Sequence, residues 1–223
     1  MQTNLVFPLF ILILCFFISY LIGSFSMSYL ISKKKGINLK EKGSKNLGTS
    51  NTVLLIGKRY GVIVLIVDIL KAFISMVGLS YFCIWINNLN IKNTSIISCN
   101  LLDILSLFAC SCILGHIFPI HLNFNGGKGF ATYIGSILTI SFIYPHILFI
   151  LVIALIMALI TDYLVMATFS VIFLTPIYFL YINALTPMIS FLIVSIIIFI
   201  KHIENIKRII KGEEIKLRKS LTL

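Results

Sequence analysis

The chain has 223 residues, 59% of them hydrophobic and only 11% charged, where a soluble globular domain carries about 25% charged residues. Several apolar runs reach or approach the roughly 20 residues that span a bilayer. A soluble domain is excluded, and so is a membrane barrel, which would show alternating segments of about ten residues. The expected fold is all-α: a single polytopic membrane domain over residues 1–223, with about seven transmembrane helices.

The first apolar run, Leu5 to Ile31, has no basic residue before it and Lys33, Lys34 and Lys35 after it. A cleavable signal has the opposite polarity. The run is expected to be a retained helix with its N-terminus outside. The net charge of +11 is then distributed by topology. Eight basic residues lie between Lys33 and Arg59 and seven between Lys201 and the end, whereas the polar stretch Asn87 to Asn100 holds only Lys92. The positive-inside rule makes the two basic segments cytoplasmic and the asparagine-rich one external, which argues for membrane lipid and against nucleic acid as the partner of this charge.

The second helix is expected from Gly61 to Ile86, running outward, and the third from Leu101 to Phe118, running inward. Asp68 and Lys71, three apart on the second, share a face and are expected to pair, since a charge at membrane depth needs a partner. Four shorter runs follow, Phe130–Ile143, His146–Ile160, Tyr163–Tyr181 and Pro187–Ile200, separated at Tyr144-Pro145, Thr161-Asp162 and Asn183 to Pro187. Seven crossings leave the C-terminus cytoplasmic. The cysteines Cys15, Cys83, Cys99, Cys110 and Cys112 read as small hydrophobes, with no zinc-ligand spacing among them.

Three polar segments fall on one side of the membrane. "EKGSKNLGTSN", Glu41 to Asn51, offers hydroxyls and amides between glycines. Such a turn either forms an anion-binding concavity of N–H groups or is a solvated loop. "GHIFPIHLNFNGGKGFATYIG", Gly115 to Gly135, carries Gly126, Gly127, Lys128 and Gly129 just before a helix start. Glycine admits close backbone approach, and a helix N-terminus favours phosphate. A tight turn with a snorkelling lysine is the equal alternative. "KHIENIKRIIKGEE", Lys201 to Glu214, places Lys201, Glu204 and Arg208 on one helical face and His202 and Asn205 on the next. No Gly-x-Ser-x-Gly elbow and no cluster of metal ligands is present in the sequence, so chemistry would rest on binding and orienting reactive substrates.

Taken together, "GSFSMSYLISKKKG", "GSKNLGTSNTVLLIGKRYG", "VDILKA", the Gly115–Gly135 stretch and "HIENIKRIIKGEE" resemble the acyl-phosphate-dependent glycerol-3-phosphate acyltransferases of bacterial membranes. The motifs stand in family order and cover most of the chain. The resemblance implies a seven-helix enzyme of the cell membrane whose site faces the cytoplasm. It moves an acyl chain from acyl phosphate to the 1-hydroxyl of glycerol 3-phosphate, the start of phospholipid synthesis, with no metal or cofactor. Its functional residues match Ser44, Lys128, His202 and Asn205 as catalytic positions, and Asn46, Asn51, Gly126, Gly127, Gly129 and Glu214 as substrate-binding ones. Where the family usually has an arginine stands Leu54; where it has a basic residue before the glycine pair stands Asn125. Asp162 and Val165 occupy positions of a basic residue and a serine, and Lys45 that of a glycine. The alternatives are a non-catalytic or acceptor-altered member that binds phosphorylated lipid precursors, and a transporter using Asp68, Lys71, Asp103 or Asp162.

Overall fold

Helices account for nearly all of the regular structure in the computed structural model, which describes residues 6–89 and 100–218, with side chains from 9 to 86 and from 100 to 218. Cys99 and Lys92 lie outside the described residues.

The first apolar run is two helices rather than one, α1 (Val6–Ser24) and α2 (Met27–Lys34). The break falls at Phe25–Ser26 because the Ser26 hydroxyl caps a new helix, accepting from the Tyr29 N–H at 3.3 Å. The two still make one apolar path, Leu9–Lys34. The segment read as a loop up to Asn51 turns helical earlier than expected: α3 (Thr49–Ile56) starts at Gly48 and stops at Gly57, whose φ is +120°. Next come α4 (Lys58–Phe73), a π-turn at Ile74–Gly78 and α5 (Leu79–Leu89), continuous enough to form a span from Lys58 to Ile86. Then follow α6 (Leu101–Ile117), a 3-10 turn at Ile120–Leu122 and α7 (Phe130–Ser141). A second 3-10 turn at Pro145–Ile147 leads to α8 (Leu148–Thr161), α9 (Leu164–Tyr181), α10 (Leu185–Lys201) and α11 (Ile203–Ile210).

Among the described residues four helical stretches are long and apolar enough to cross a membrane, and a fifth results if α10 and α11, bent by 44°, are taken as one. The helices Phe130–Ser141 and Pro145–Thr161 are apolar but shorter. With 12 residues, α7 is about 18 Å long, well under the roughly 30 Å of a hydrocarbon core.

α6 is the centre of the bundle. Of its apolar window 72% is buried, against 28% for the first span, so α6 is wrapped by protein where the first span faces outward. Lipid removes the usual hydrophobic drive between helices, leaving close packing and interhelical hydrogen bonds to do the work. Both are present. A Cβ on Gly23 would lie 2.0 Å from the Cys112 carbonyl oxygen, and one on Gly115 would lie 2.1 Å from that of Tyr20. Only glycine lets α1 and α6 approach so closely. Hydroxyls seal the contact: Ser19 donates to the Phe108 carbonyl at 2.7 Å and meets Ser75 of the π-turn at 2.6 Å, while Ser111 donates to the Phe16 carbonyl at 2.5 Å. On the other flank Tyr133 of α7 sits edge-on to Phe191 of α10 at 5.1 Å and shares a 3.0 Å hydrogen bond with Ser195. The outer faces of α8 and α9 stay apolar, with Phe149, Ile160 and Ile177 exposed, as a lipid-facing surface requires.

Candidate active site

Three polar segments, expected to share one side, meet at one end of this bundle. The first, the Glu41–Asn51 loop, is wound around a single amide. Asn51 is 1% exposed. Its Nδ2 donates to the carbonyls of Leu39 (3.0 Å), Lys42 (3.2 Å) and Asn46 (3.0 Å), and its Oδ1 accepts from the Ser44 N–H at 2.9 Å. Gly43 and Lys45 take left-handed backbone at φ +61° and +54° to close the turn, which accounts for a glycine at the Lys45 position in the resemblance. The Asn51 side chain is therefore engaged within the loop, bonding the backbone on both sides of Ser44. The Ser44 hydroxyl has no partner among the described residues, and Asn46 is half-buried beside it.

In the second segment the glycine pair forms the tight turn, one of its two expected readings. After α6 the chain turns through Ile120–Leu122, with Asn123 and Phe124 at φ +54° and +58°, and folds back on itself. The Gly126 N–H donates to the Ile117 carbonyl and the Gly127 N–H to the His116 carbonyl, both at 3.1 Å. Neither is free for an anion. The two glycines serve close packing instead. A Cβ on Gly126 would come within 2.1 Å of the His116 carbonyl oxygen; on Gly127 it would lie 2.0 Å from the His116 Nε2 and 2.6 Å from the Leu47 carbonyl oxygen. The donors left over are the N–H groups of Lys128, Gly129 and the first turn of α7, which take no partner among the described residues. Gly129 opens that helix at φ +89°, a conformation suited to glycine.

From this turn Lys128 reaches the third segment. Its ammonium donates to the Oδ1 of Asn205; the Asn205 Nδ2 donates to Glu214 Oε1 at 2.7 Å; and the Arg208 guanidinium meets Glu214 Oε2 at 2.6 Å. The result is one chain, Lys128–Asn205–Glu214–Arg208, linking a loop to the terminal segment across 77 residues of sequence. Burial, then the positive Arg208, lower the Lys128 amine to about 8, with Glu214 and Glu204 opposing. Below that pH it is a partly desolvated cation, strongly drawn to an anion. His202 forms the elbow between α10 and α11. It is 5% exposed, its Nδ1 donates to the Ile198 carbonyl at 2.8 Å, and Phe169 packs edge-on at 6.3 Å. The elbow sets Lys201, the last residue of α10, apart from α11 and so divides the helical face expected for Lys201, Glu204 and Arg208. Lys201 turns to the Phe118 ring, 4.9 Å away, and Glu204 pairs with Lys207 at 2.7 Å instead.

Beneath the glycine turn lies a group the sequence revealed only in part. Asp68 and Lys71 do pair, at 2.8 Å. The Lys71 Nζ also meets His116 Nδ1 at 2.6 Å and the Phe25 carbonyl at 3.2 Å. All three side chains are buried. Since the Nε2 edge of the His116 ring occupies the space beside Gly127, the buried trio supports the turn that carries Lys128. His116 and Arg208 are the residues that spacing alone missed. The signal for His116 was the need of a buried charge pair for a third polar partner. Of the atypical positions, Asn125 adjoins the glycine pair and is exposed, Leu54 on α3 is exposed, Val165 is buried, and Asp162 docks the terminal segment by accepting from Leu217 and Arg218 N–H groups at 2.7 and 2.9 Å.

Comparison with known proteins turns this geometry into an assignment. A family described as glycerol-3-phosphate acyltransferase matches residues 13–212. The chain belongs to the glycerol-3-phosphate acyltransferase family. It is 34% identical over 200 residues to glycerol-3-phosphate acyltransferase 1 of Oceanobacillus iheyensis, covering 90% of this chain and 92% of that one. With the Staphylococcus aureus glycerol-3-phosphate acyltransferase the identity is 35% over 211 residues, covering 93% and 98%. Among solved structures it resembles PlsY (YgiH), an integral membrane glycerol 3-phosphate acyltransferase. The match to the glycerol 3-phosphate form has a TM-score of 0.74 at 28% identity, covering 94% of each chain. That to the lysophosphatidic acid form has a TM-score of 0.72 at 27%, covering 97% and 99%. This member of the family is an acyltransferase of lipid biosynthesis carried on an integral membrane fold.

Proposed function

We propose that the chain transfers an acyl group from acyl phosphate to the 1-hydroxyl of glycerol 3-phosphate, releasing lysophosphatidic acid and phosphate. The observation that carries this reading is the half-buried Lys128, held by Asn205, which Glu214 holds in turn, beside the unpaired N–H groups of Gly129 and α7. A cation, free backbone donors and a helix N-terminus aimed at one spot suit a phosphate group. The structural neighbour crystallised in glycerol 3-phosphate and lysophosphatidic acid forms supports the same substrate class.

In the reaction the acceptor hydroxyl oxygen bonds to the acyl carbonyl carbon, and the bond from that carbon to the phosphate oxygen breaks. Phosphate leaves with the electron pair and takes up the hydroxyl proton, so no protein nucleophile is needed. The chain's own residues bind and orient. Lys128 and the neighbouring N–H groups hold phosphate, and the Ser44 hydroxyl with Asn46 positions substrate at the rim. Asn205 and Glu214 aim the lysine, and His202 fixes the elbow that delivers Asn205. Gly126, Gly127 and Asn51 shape the two loops. In the membrane we assign seven crossings, with α7 and α8 as short spans, the N-terminus outside, and the C-terminus and site cytoplasmic. The basic segments Lys33–Arg59 and Lys201 onward support that orientation.

The test is a transfer assay. Detergent-solubilised full chain is given acyl phosphate and labelled glycerol 3-phosphate. Labelled lysophosphatidic acid is the expected product. Folded protein that binds both substrates and forms none would replace this reading with the non-catalytic one, toward which the missing cations at Leu54 and Asn125 point.

A further inference from the structure

We propose that a basic cavity on the far side of the first loop is a binding site for the phosphate headgroup of an anionic membrane lipid. The cavity has a volume of about 440 Å³, within the few hundred cubic ångströms of ordinary small-ligand sites. Lys33, Lys40 and His121 line it together with Asn38 and Asn123, over a floor that includes Ile37, and no carboxylate contributes to its wall.

Several of these groups are set up as donors. The Lys40 amine is tethered across the opening by one hydrogen bond to the Leu122 carbonyl, at 3.0 Å. An ammonium has three N–H groups, so two remain for a ligand. Asn38 turns its oxygen to the Lys40 N–H at 3.0 Å, which leaves its amide hydrogens free. Lys33 and His121 are exposed at the rim.

Its position in the bundle identifies the occupant. Two apolar spans end at this cavity: Leu9–Lys34 finishes next to Lys33, and Leu101–Leu122 finishes at the His121 turn. Lipid headgroups lie at that level, and basic pockets between helices recognise them by charge. Leu30 on α2 and Ile120 and Phe124 on the turn remain exposed nearby, an apolar surface suited to acyl chains. The site is separate from the one carrying Lys128. Leu47 and Leu122, packed with the buried Leu39, form part of the cavity wall, and the Leu47 carbonyl packs against Gly127. This inference therefore does not depend on the transfer reaction.

The experiment titrates the detergent-solubilised full chain with short-chain phosphatidylglycerol, and with phosphatidylcholine of the same length, by native mass spectrometry. One phosphatidylglycerol is expected to bind in clear preference to phosphatidylcholine. The double variant Lys33→Gln, Lys40→Gln is expected to lose that preference on the order of tenfold, each lysine near a charged headgroup being worth roughly a kilocalorie per mole. An unchanged melting temperature of the double variant ties the loss to the cavity rather than to the fold. Lys128→Ala is expected to bind the lipid as wild type does. Equal binding of the two lipids, or full retention in the double variant, overturns the proposal. Loss in Lys128→Ala overturns it too, by placing the lipid in the transfer site. Displacement of the lipid by excess inorganic phosphate would show a site for free phosphate and overturn the lipid assignment.

Discussion

The Asn51 loop and the Lys128 turn look alike as sequence, both short, polar and rich in glycine, yet the structure uses them in opposite ways. In the first, the polar hub is neutral and turned inward: four hydrogen bonds from one buried amide hold four points of backbone. In the second, the backbone polar groups of Gly126 and Gly127 are consumed by the turn while a charged side chain is sent outward to Asn205. The lesson is that a glycine-rich loop is not an anion cradle by composition. What decides is where each N–H goes, and here the glycines make room while the next two residues keep free donors.

The largest expected effect comes from removing the cation. Lys128→Ala should lower acyl transfer by on the order of a hundredfold, since charged hydrogen bonds are worth about 1.5–3 kcal/mol each and a phosphate accepts more than one. The fold should survive, because Lys128 carries its charge in the folded protein against desolvation. Turnover near wild type would break the contrast between the two loops.

Gly127→Ala should come next. The added methyl meets the His116 ring and the Leu47 carbonyl, so one of them has to move. Overpacking of this kind costs about 1–3 kcal/mol, read as a lower melting temperature together with a raised KM for glycerol 3-phosphate. Gly127→Ala with unaltered melting would deny the close packing. In the first loop, Asn51→Ala strands three carbonyls at a cost of about 1–3 kcal/mol. The measurement is limited proteolysis, with cleavage between Gly36 and Gly57 rising sharply. KM is expected to rise with a smaller change in kcat, as befits a residue that shapes rather than touches.

pH sharpens the difference further. The lysine falls from an ordinary 10.5 to about 8 in the folded chain. Between those values the unfolded state binds more protons, so stability should rise as pH rises through that window. Phosphate binding should do the reverse, weakening about tenfold per pH unit above 8 as the cation is lost. Opposite slopes of melting temperature and of 1/KM over one pH range are the expected pattern; parallel slopes would remove Lys128 from the site. The smallest effect should be that of Arg208→Gln. It relaxes Glu214 at a side chain still 31% exposed, where screening leaves about 1 kcal/mol or less, so a few-fold rise in KM is expected from steady-state kinetics.

Much of this was legible in the sequence, for physical reasons. Apolar runs with polar breaks located the helices to within a few residues, as at Leu101–Phe118 against Leu101–Ile117. The asymmetry of lysines brought the three polar segments to one end. Which side chains join those segments, as Lys128 joins Asn205, was not fixed by the sequence. What stayed hidden was set by contacts distant in sequence. The break at Ser26 needs the cap seen in three dimensions. The elbow at His202 divides what reads as one helical face. His116 joins Asp68 and Lys71 across 45 residues, between His116 and Lys71, and nothing in local spacing announces it. The two readings of the glycine pair stayed open because composition states that backbone can approach closely, and only the fold states what it approaches.

Equilibrium binding of labelled glycerol 3-phosphate, without acyl donor, tests the central claim most directly. At pH 7 the wild-type chain is expected to bind it saturably and Lys128→Ala at least tenfold more weakly, with Asn205→Ala in between because it leaves the lysine charged but unaimed. Equal affinity of wild type and Lys128→Ala, in protein shown to be folded, would contradict the account and move phosphate recognition away from the turn between α6 and α7.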